Sequence, residues 1–271
     1  MFACGNGSPL VGSATLGASP LPFVLRPWSD RPIHECGEPL EPLQPNFFCL
    51  QPHPYQSLGA PYGPGADPFV LRQGVRLRLQ RAEQRLRKID ATVRFAIFDA
   101  WRPISVQAFM VEHAVAEQCA LEALDPSAAA GDPLVAEALA DVRRRVGRFW
   151  APPSADAATP PPHSTGAAVD LTLCSVDGEL IDMGGEIDAI GAVSEPDFYA
   201  EAASSGLDSR AVLFDRRRKL LASVLGEEGM VCHPNEWWHF SYGDQLWAWR
   251  SGQAEAIYGR CDQALSSSLT A

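Results

Sequence analysis

The chain has 271 residues, of which 46% are hydrophobic and 20% charged, and its formal net charge at pH 7 is -11. These proportions are typical of a globular protein that can bury a sizeable core. The acidic balance argues against a nucleic-acid partner, because that binding depends on basic side chains that neutralise phosphates.

Two arginine-rich runs, at residues 72–88 and 216–219, interrupt the acidic average. Each lies in a helical pattern, which favours a solvated helix face over a binding patch. The seven cysteines are scattered and contain no C-x-x-C pair, which predicts free thiols in a reducing compartment. No signal peptide is expected in residues 1–25, and no apolar run approaches the length of a membrane span. We therefore predict a cytoplasmic protein without a membrane partner.

Residues 1–68 are rich in proline and glycine and have little periodicity. Such composition favours turns, and two interpretations stay open: a partly ordered extension, or an arm that packs over the functional site. We predict that this extension packs on a core domain of residues 69–258. Residues 259–271 are predicted to form a C-terminal tail.

The first predicted helix covers residues 75–89, where apolar residues recur at intervals of four and three: Val75, Leu79, Ala82, Leu86 and Ile89. The run at 92–98 is typical of a strand and leads into the sequence Asp-Ala-Trp-Arg-Pro, which ends at Pro103. That proline biases Arg102 toward an extended backbone. A second helix is predicted for residues 105–124.

Residues 125–131 are predicted as a connector, after which Asp132 caps a third helix with Pro133 at its first position. The buried stripe of this helix is predicted to be Leu134, Val135, Ala138, Leu139 and Val142. The proline-rich stretch 151–162 is predicted to be a stiff loop that positions His163.

A hairpin is predicted next, with strands at 168–176 and 179–183 around the turn pair Asp177-Gly178. Because side chains alternate along a strand, Asp170 lies on the face opposite the apolar row. Mixed helices and strands with an antiparallel hairpin predict an α+β fold, in which an antiparallel sheet is flanked by helices.

The last third of the chain is predicted as an irregular segment at 192–208, a helix at 209–225 ended by Gly226, and short strands within 230–250. Glu236 is expected in a turn before a strand at 238–242. From that turn its side chain could swing toward His239.

Two short stretches carry the candidate chemistry: His-Ser-Thr-Gly-Ala-Ala-Val-Asp, which ends at Asp170, and Glu-Trp-Trp-His, which ends at His239. His163, Asp170 and His239 offer two imidazoles and a carboxylate. Three protein ligands with one open position are typical of a catalytic zinc ion. The alternative, two surface histidines beside ordinary charges, stays open at this point, and no H-E-x-x-H motif is present.

In the metallopeptidase hypothesis, Glu236 is left without a ligand's role and is a candidate general base and acid. Arg102 is a candidate cation for the charge that develops on the substrate. The alternative for Arg102 is a surface salt bridge with Asp99. His233 stays an outside ligand candidate, whereas the remaining histidines, His34, His53 and His113, are interpreted as ordinary polar residues.

Four motifs in this order resemble those of the D-alanyl-D-alanine dipeptidases of VanX type, within the zinc D,D-peptidases that share a fold with the hedgehog signalling domain. They are Asp-Ala-Trp-Arg-Pro at 99–103, the stretch that begins with His-Ser-Thr-Gly at 163–173, Asp-Met-Gly at 182–184 with Asp188, and Glu-Trp-Trp-His at 236–239. The resemblance covers roughly residues 70–250. It implies one zinc ion per chain, held by His163, Asp170 and His239.

The resemblance further implies that Glu236 is the catalytic acid and base and that Arg102 stabilises the transition state. It implies that Asp188 holds the free amino group of the substrate, whereas the alternative for Asp188 is a surface charge beside the hairpin. One departure stands out, since Pro161-Pro162 occupies the place of a serine pair in family members. Proline cannot donate a hydrogen bond there, so substrate recognition on that side is expected to differ.

The resemblance implies hydrolysis of D-alanyl-D-alanine or a related D,D-dipeptide, a small-molecule partner. Two alternatives stay open: a D,D-carboxypeptidase that acts on peptidoglycan stem peptides, and a non-catalytic hedgehog-like module that only binds zinc. Asp188 favours a dipeptidase over a carboxypeptidase. Glu236 and Arg102 argue against a binding module, which needs neither.

Overall fold

The computed structural model describes residues 26–262; residues 1–25 of the predicted extension and 263–271 of the predicted tail lie outside the described residues. The strands are β1 (Leu40–Pro42), β2 (Phe48–Cys49), β3 (Val70–Arg72), β4 (Val93–Asp99), β5 (Ala168–Ser175), β6 (Val231–His233) and β7 (Glu236–Ser241). The helices are α1 (Pro54–Ser57), α2 (Gln73–Ile89), α3 (Ile104–Leu121), α4 (Pro133–Phe149), α5 (Ala200–Ser204), α6 (Ser209–Gly226) and α7 (Gln245–Arg250). Short 3₁₀ turns lie at Pro126–Ala130, Pro162–Thr165 and Ala192–Ser194.

Five strands form the main sheet in the order β2-β4-β5-β7-β6, and β1 pairs with β3 in a separate antiparallel ribbon. The predicted mixture of helices and a sheet is confirmed. The pairings from β4 to β6 are antiparallel, as predicted, but the edge strand β2 runs parallel to β4. The prediction missed β2 because its two residues lie in the aperiodic N-terminal segment.

Alternate residues of the two central strands face two different apolar clusters. Phe95, Ile97, Val169 and Leu171 pack against residues of α2 and α6. Phe98 instead packs against a second cluster, built mainly from α3 and α4. Because Asp170 lies between Val169 and Leu171 in the strand, it points away from α2 and α6. The predicted α2 stripe is confirmed except at Ile89, which ends the helix and is 64% exposed.

The prediction for the buried stripe of α4 is wrong in its first turn. Leu134 is 76% exposed, whereas the buried residues are Val142, Val146 and Phe149. These three join the cluster that contains Met110 of α3. The fully buried residues of α4 therefore all lie in its C-terminal half, while Leu139 is half-buried against the same cluster and Asp132 caps the helix as predicted. A periodic apolar stripe shows which face can be buried but not how far along the helix the partner extends.

Three further predictions are wrong in detail. The second limb of the hairpin is reduced to a single bridge between Cys174 and Leu180. Helix α6, in contrast, ends at Gly226, within one residue of its predicted end, and the chain then turns at Gly229, whose φ is +77°. The irregular segment contains α5, and α7 occupies the end of the region predicted as strands. Within the described residues, no helix is both long and apolar enough to span a membrane.

The two arginine-rich runs each contain a buried member, so the prediction that both are solvated faces is wrong at those positions. Arg72 donates to the carbonyls of Thr165 and Gly259, while Arg218 donates to three carbonyls of the segment that leads from β5 to α5: Met183, Val193 and Glu195. Burial lowers the pKa of Arg218 to about 10. Arg218 thereby ties α6 to the segment that carries Asp188.

We expect Arg218→Met to lower the free energy of unfolding by about 3 kcal/mol, because it leaves several carbonyls without their charged donor. Arg217→Met is the matched control. Arg217 is the neighbour of Arg218 in the chain, and its guanidinium donates an exposed hydrogen bond to the carbonyl of Asp182. That variant is expected to lose less than about 1 kcal/mol. Urea unfolding of both variants measures the difference, and equal losses would contradict this role of Arg218.

Candidate metal centre

Three potential ligands meet at one end of the central strand pair. Asp170 of β5 and His239 of β7 are direct register partners, and His163 lies in the 3₁₀ turn just before β5. Sheet pairing thus joins residues that are far apart in the chain. The Nε2 atom of His163 lies 3.1 Å from Nδ1 of His239 and 3.2 Å from Oδ2 of Asp170. Nδ1 of His239 lies 3.0 Å from Oδ1 of Asp170.

The three buried side chains have a donor set and spacing that fit a metal ion. Ligand atoms bonded to a tetrahedral zinc ion are roughly 3.3 Å apart, close to the separations seen here. The Nδ1 atom of His163 donates to the carbonyl of Ala100, which can only accept, so its Nε2 presents a lone pair to the cluster. Nε2 of His239 contacts Ser241, and such outer contacts orient imidazole ligands.

Asp170 is held in its ionised form by its surroundings. Burial acts to raise its pKa, but the electrostatic and hydrogen-bonding interactions with the imidazoles of His163 and His239 hold the pKa well below its ordinary value. Nη2 of Arg102 also donates to Oδ2 of Asp170 at 2.9 Å. An ionised carboxylate between two imidazoles is the form in which a metal ligand is needed.

Glu236 lies beside these ligands but makes a different set of contacts. Its Oε2 is 3.7 Å from Nδ1 of His239, and its Oε1 is 3.5 Å from Nδ1 of His233. Burial raises its pKa well above the ordinary value, and the negative charge of Asp170 adds to this effect. The carboxyl group is therefore near the ligand cluster and readily protonated.

The expectation that Glu236 lies in a turn is wrong, since β7 begins at this residue. Pro234 and Asn235 alone form the connection, and Glu236 pairs directly with His233. The β6–β7 register shifts between Cys232 and His233. In a regular strand, side chains three residues apart lie on opposite faces, so Glu236 and His239 would point in opposite directions. The register shift accompanies the approach of the two side chains to each other.

Arg102 is buried, so the alternative of a surface salt bridge is wrong, although the pair with Asp99 exists. Its Nε donates to Oδ2 of Asp99 at 2.7 Å, and its Nη1 donates to Gln107 at 3.0 Å. The rings of Tyr55 and Trp150 lie 5.1 and 5.2 Å from the guanidinium carbon. All three guanidinium nitrogens are thus engaged by side chains, Asp170 being the third partner.

Asp188 lies in a turn after the hairpin, with φ at +67°, and its carboxylate reaches the same cavity as the ligands. Its Oδ2 accepts a hydrogen bond from the hydroxyl of Tyr55 at 2.8 Å. Burial and the charge of Asp170 raise the pKa of Asp188 to about 7. Its carboxylate therefore faces the cavity and not the outer surface of the hairpin.

The N-terminal segment supplies residues that sequence analysis missed. His53 and Tyr62 both contact Oδ1 of Asp99 at 3.0 Å, and Asp99 in turn holds Arg102. Tyr55 contacts Asp188, as described above. No periodic pattern marks these residues, and the only local signal was the position of Asp99 three residues before Arg102.

All six predicted site residues line one narrow cavity of about 40 Å³. Further lining comes from Arg26, Trp28, Gln107, Trp150, Pro162 and His233, among others. Pro162 also borders a neighbouring cavity of about 280 Å³, which Pro161 lines as well. The proline pair noted in the sequence therefore lies at the junction of the two cavities.

Comparisons with known proteins agree with the family resemblance. Residues 49–256 match the model of the Peptidase_M15 family, described as D-ala-D-ala dipeptidase. A D-alanyl-D-alanine dipeptidase of Synechocystis sp. is 43% identical over 247 residues, which cover 88% of this chain and 98% of that protein. One from Enterococcus faecium is 32% identical over 84 residues, which cover 31% of this chain and 37% of that protein.

One solved structure also has a weak likeness to this chain. It is a mutant of the vancomycin resistance D,D-pentapeptidase VanY in complex with Zn(II), at 13% identity and a TM-score of 0.40. The match covers 70% of this chain and 83% of that chain. A likeness at this level does not establish a common fold.

Proposed function

The chain belongs to the Peptidase_M15 family of D-Ala-D-Ala dipeptidases, and we propose that it hydrolyses D-alanyl-D-alanine, or a related D,D-dipeptide, to free amino acids. The observation that carries this proposal is a single cavity that holds two kinds of group. One is the cluster of His163, Asp170 and His239 with Glu236 beside it. The other is Asp188, a carboxylate that could bind the substrate's ammonium group.

We propose one zinc ion per chain, held by His163, Asp170 and His239. Two nitrogens and one carboxylate oxygen with a remaining open position suit catalytic zinc. When bound, zinc would make water more acidic and polarise the carbonyl of the scissile bond. The contacts of His163 with Ala100 and of His239 with Ser241 would keep both rings oriented toward the ion.

Glu236 is proposed to move the proton of the reaction. Its carboxylate takes a proton from the attacking water as the water oxygen bonds to the peptide carbon. It then returns that proton to the amine nitrogen as the carbon–nitrogen bond breaks. The upward shift of the Glu236 pKa supports this role, because a carboxyl group that holds a proton more readily can carry it from the water to the amine nitrogen.

Arg102 is proposed to stabilise the negative charge that develops on the substrate carbonyl. Its guanidinium lines the cavity, and bonds to Asp99, Gln107 and Asp170 fix its orientation. A fixed donor needs no reorganisation during the reaction, which is the source of such stabilisation. The same bonds hold Asp170, so Arg102 would also position a metal ligand.

The pH dependence of KM tests the role of Asp188. Its carboxyl pKa is raised to about 7, so the group becomes neutral as the pH falls below that value and loses its attraction for an ammonium group. We expect KM for D-Ala-D-Ala to rise as the pH is lowered from 7.5 to 6, a range in which the substrate's amino group, with a pKa of about 8, stays mostly protonated while Asp188 loses its charge. Asp188→Asn is expected to raise KM about tenfold to hundredfold at pH 7.5 and to flatten the profile.

Asp177→Asn, which changes an exposed aspartate of the hairpin turn, is the matched control and should keep the wild-type profile. Steady-state hydrolysis of D-Ala-D-Ala across this range measures all three proteins. If the Asp188→Asn profile matches that of the wild type, Asp188 does not bind the ammonium group.

Metal removal and restoration test the proposed reaction itself. The protein is stripped with a chelator, reloaded with zinc and incubated with D-Ala-D-Ala and, separately, L-Ala-L-Ala, while free alanine is measured. We expect the stripped protein to be inactive and release from D-Ala-D-Ala to return as zinc approaches one per chain. Stoichiometric zinc without hydrolysis of either dipeptide would instead favour the hedgehog-like binding module.

We further propose the D,D-peptidase fold that is shared with the hedgehog signalling domain, with residues 69–258 as the catalytic domain, 1–68 as an extension on it and 259–271 as a tail. A cytoplasmic location is supported by the cysteines, because the six within the described residues form no disulfide. We expect a small dipeptide as the partner and neither nucleic acid nor membrane, in line with the net charge of -11.

A further inference from the structure

Arg26, the first described residue, places its guanidinium in the same cavity as the ligand cluster. Its Nη1 donates to the carbonyl of Arg148 and its Nη2 to the carbonyl of Trp150, both at 3.0 Å. Both carbonyls lie at the C-terminal end of α4. The guanidinium carbon also lies 5.7 Å from the ring of Trp28. The N-terminal segment thus contributes a fixed cation to the cavity wall.

This cation has no carboxylate partner among the described residues. Its Nε is buried and makes no hydrogen bond there, and its two other nitrogens bond only to neutral carbonyls. Glu236 is the carboxylate whose charge acts on it, without a direct ion pair. Because a guanidinium keeps its proton and the Nε of Arg26 lies buried without a partner, an anion in the cavity would complete this arrangement.

The second arginine of the cavity differs in this respect. Arg102 is fixed by two carboxylates and an amide, and its proposed role is at the carbonyl of the scissile bond. Arg26 is therefore the arginine left for a ligand anion within the described part of the cavity. A free dipeptide brings one anion, the carboxylate of its second residue, and one cation, its ammonium group.

We propose that Arg26 binds the free carboxylate of the second residue of the dipeptide and so makes the enzyme select substrates that end there. This inference rests on the proposed function and deepens it, because Asp188 and Arg26 would recognise opposite ends of the substrate. Asp188 is held against Tyr55, whereas Arg26 is held beside Trp28 by the carbonyls at the C-terminal end of α4. The scissile bond of a dipeptide lies between these two charged ends.

Lack of space alone does not explain such selectivity. The neighbouring cavity of about 280 Å³ shares Arg26, Trp28 and Pro162 with the site, so room continues past the arginine. A longer peptide or an amide could extend in that direction but would bring no negative charge to Arg26. The enzyme would then select its substrate by the charge of the terminal carboxylate and not only by the length of the peptide.

The test compares D-Ala-D-Ala with its C-terminal amide, D-alanyl-D-alaninamide, as substrates of the zinc-loaded full chain. Wild-type protein is expected to prefer the free acid in kcat/KM by about tenfold to hundredfold, mainly through KM. Arg26→Gln should reduce this preference to within about threefold, and Arg26→Lys should keep part of it, since a point charge remains. Zinc content and melting temperature are measured for each variant.

Arg148→Gln is the matched control, because that side chain is exposed and pairs with Glu195, while its backbone carbonyl remains for Arg26. It should keep the wild-type preference. An unchanged preference in Arg26→Gln, or an equal loss toward acid and amide, would overturn the role of Arg26. If wild-type protein cleaves neither substrate, the proposed function itself fails, and the role of Arg26 with it.

Discussion

Replacing His239 with alanine is expected to abolish both metal binding and hydrolysis. The Nδ1 atom of His239 lies about equally close to His163 and Asp170, at 3.1 and 3.0 Å, so it closes the ligand triangle. Removing it leaves one imidazole and one carboxylate. Loss of even an outer contact of a ligand lowers metal affinity 10–100-fold, so loss of the ligand itself should exceed roughly 100-fold.

Zinc content after dialysis and release of D-alanine measure this effect. His34→Ala is the control, because His34 is 72% exposed and pairs with Glu255 far from the cluster. It should retain one zinc per chain and full activity. A His239→Ala protein that still carries stoichiometric zinc would show that the ion is held elsewhere.

Glu236→Gln is expected to keep zinc and lose turnover. Glutamine has nearly the same size and lies outside the three-ligand cluster, so metal binding and folding should persist. An amide cannot accept the proton of the attacking water, and loss of general acid–base catalysis typically costs about 10²–10⁴ in rate. The fall should appear in kcat, whereas KM should change little because Glu236 is assigned no role in substrate binding.

Glu227→Gln is the matched control, since Glu227 is exposed and pairs with Arg85. Its kcat should equal that of the wild type. Steady-state kinetics and a zinc determination on the same samples distinguish a loss of turnover with zinc retained from a loss of turnover caused by loss of zinc. If Glu236→Gln retains wild-type kcat, another group carries the proton.

The ligand triangle could be predicted from the sequence because two short motifs supply it. A strand through Asp170 and another through His239 need only pair for the ligands to meet, and the structure pairs these two residues directly. Glu236 was identified in the sequence as a carboxylate beside the ligands that is not itself a ligand, although its position within strand β7 was not predicted. Residue type and strand pairing thus sufficed to expect the three side chains close together, as they are, whereas their role as zinc ligands stays a prediction.

The rest of the cavity depends on contacts between distant segments. Tyr55 and Arg26 lie in an aperiodic stretch and reach Asp188 and the end of α4 only in the folded chain. Asp188 lies in a turn and has a positive φ, and no periodic sequence pattern predicts its position. Only the family resemblance indicated Asp188 as a site residue. Leu134 shows the same limit in the core, since its pattern predicted burial where no partner helix extends.

The comparison of D-Ala-D-Ala with N-acetyl-D-Ala-D-Ala tests the dipeptidase assignment most directly. Acetylation removes the ammonium group that Asp188 is proposed to bind and leaves the scissile bond and terminal carboxylate unchanged. The zinc-loaded protein should cleave the free dipeptide with a kcat/KM at least about tenfold to hundredfold higher. Preferential cleavage of the acetylated peptide would contradict a dipeptidase and identify a D,D-carboxypeptidase instead.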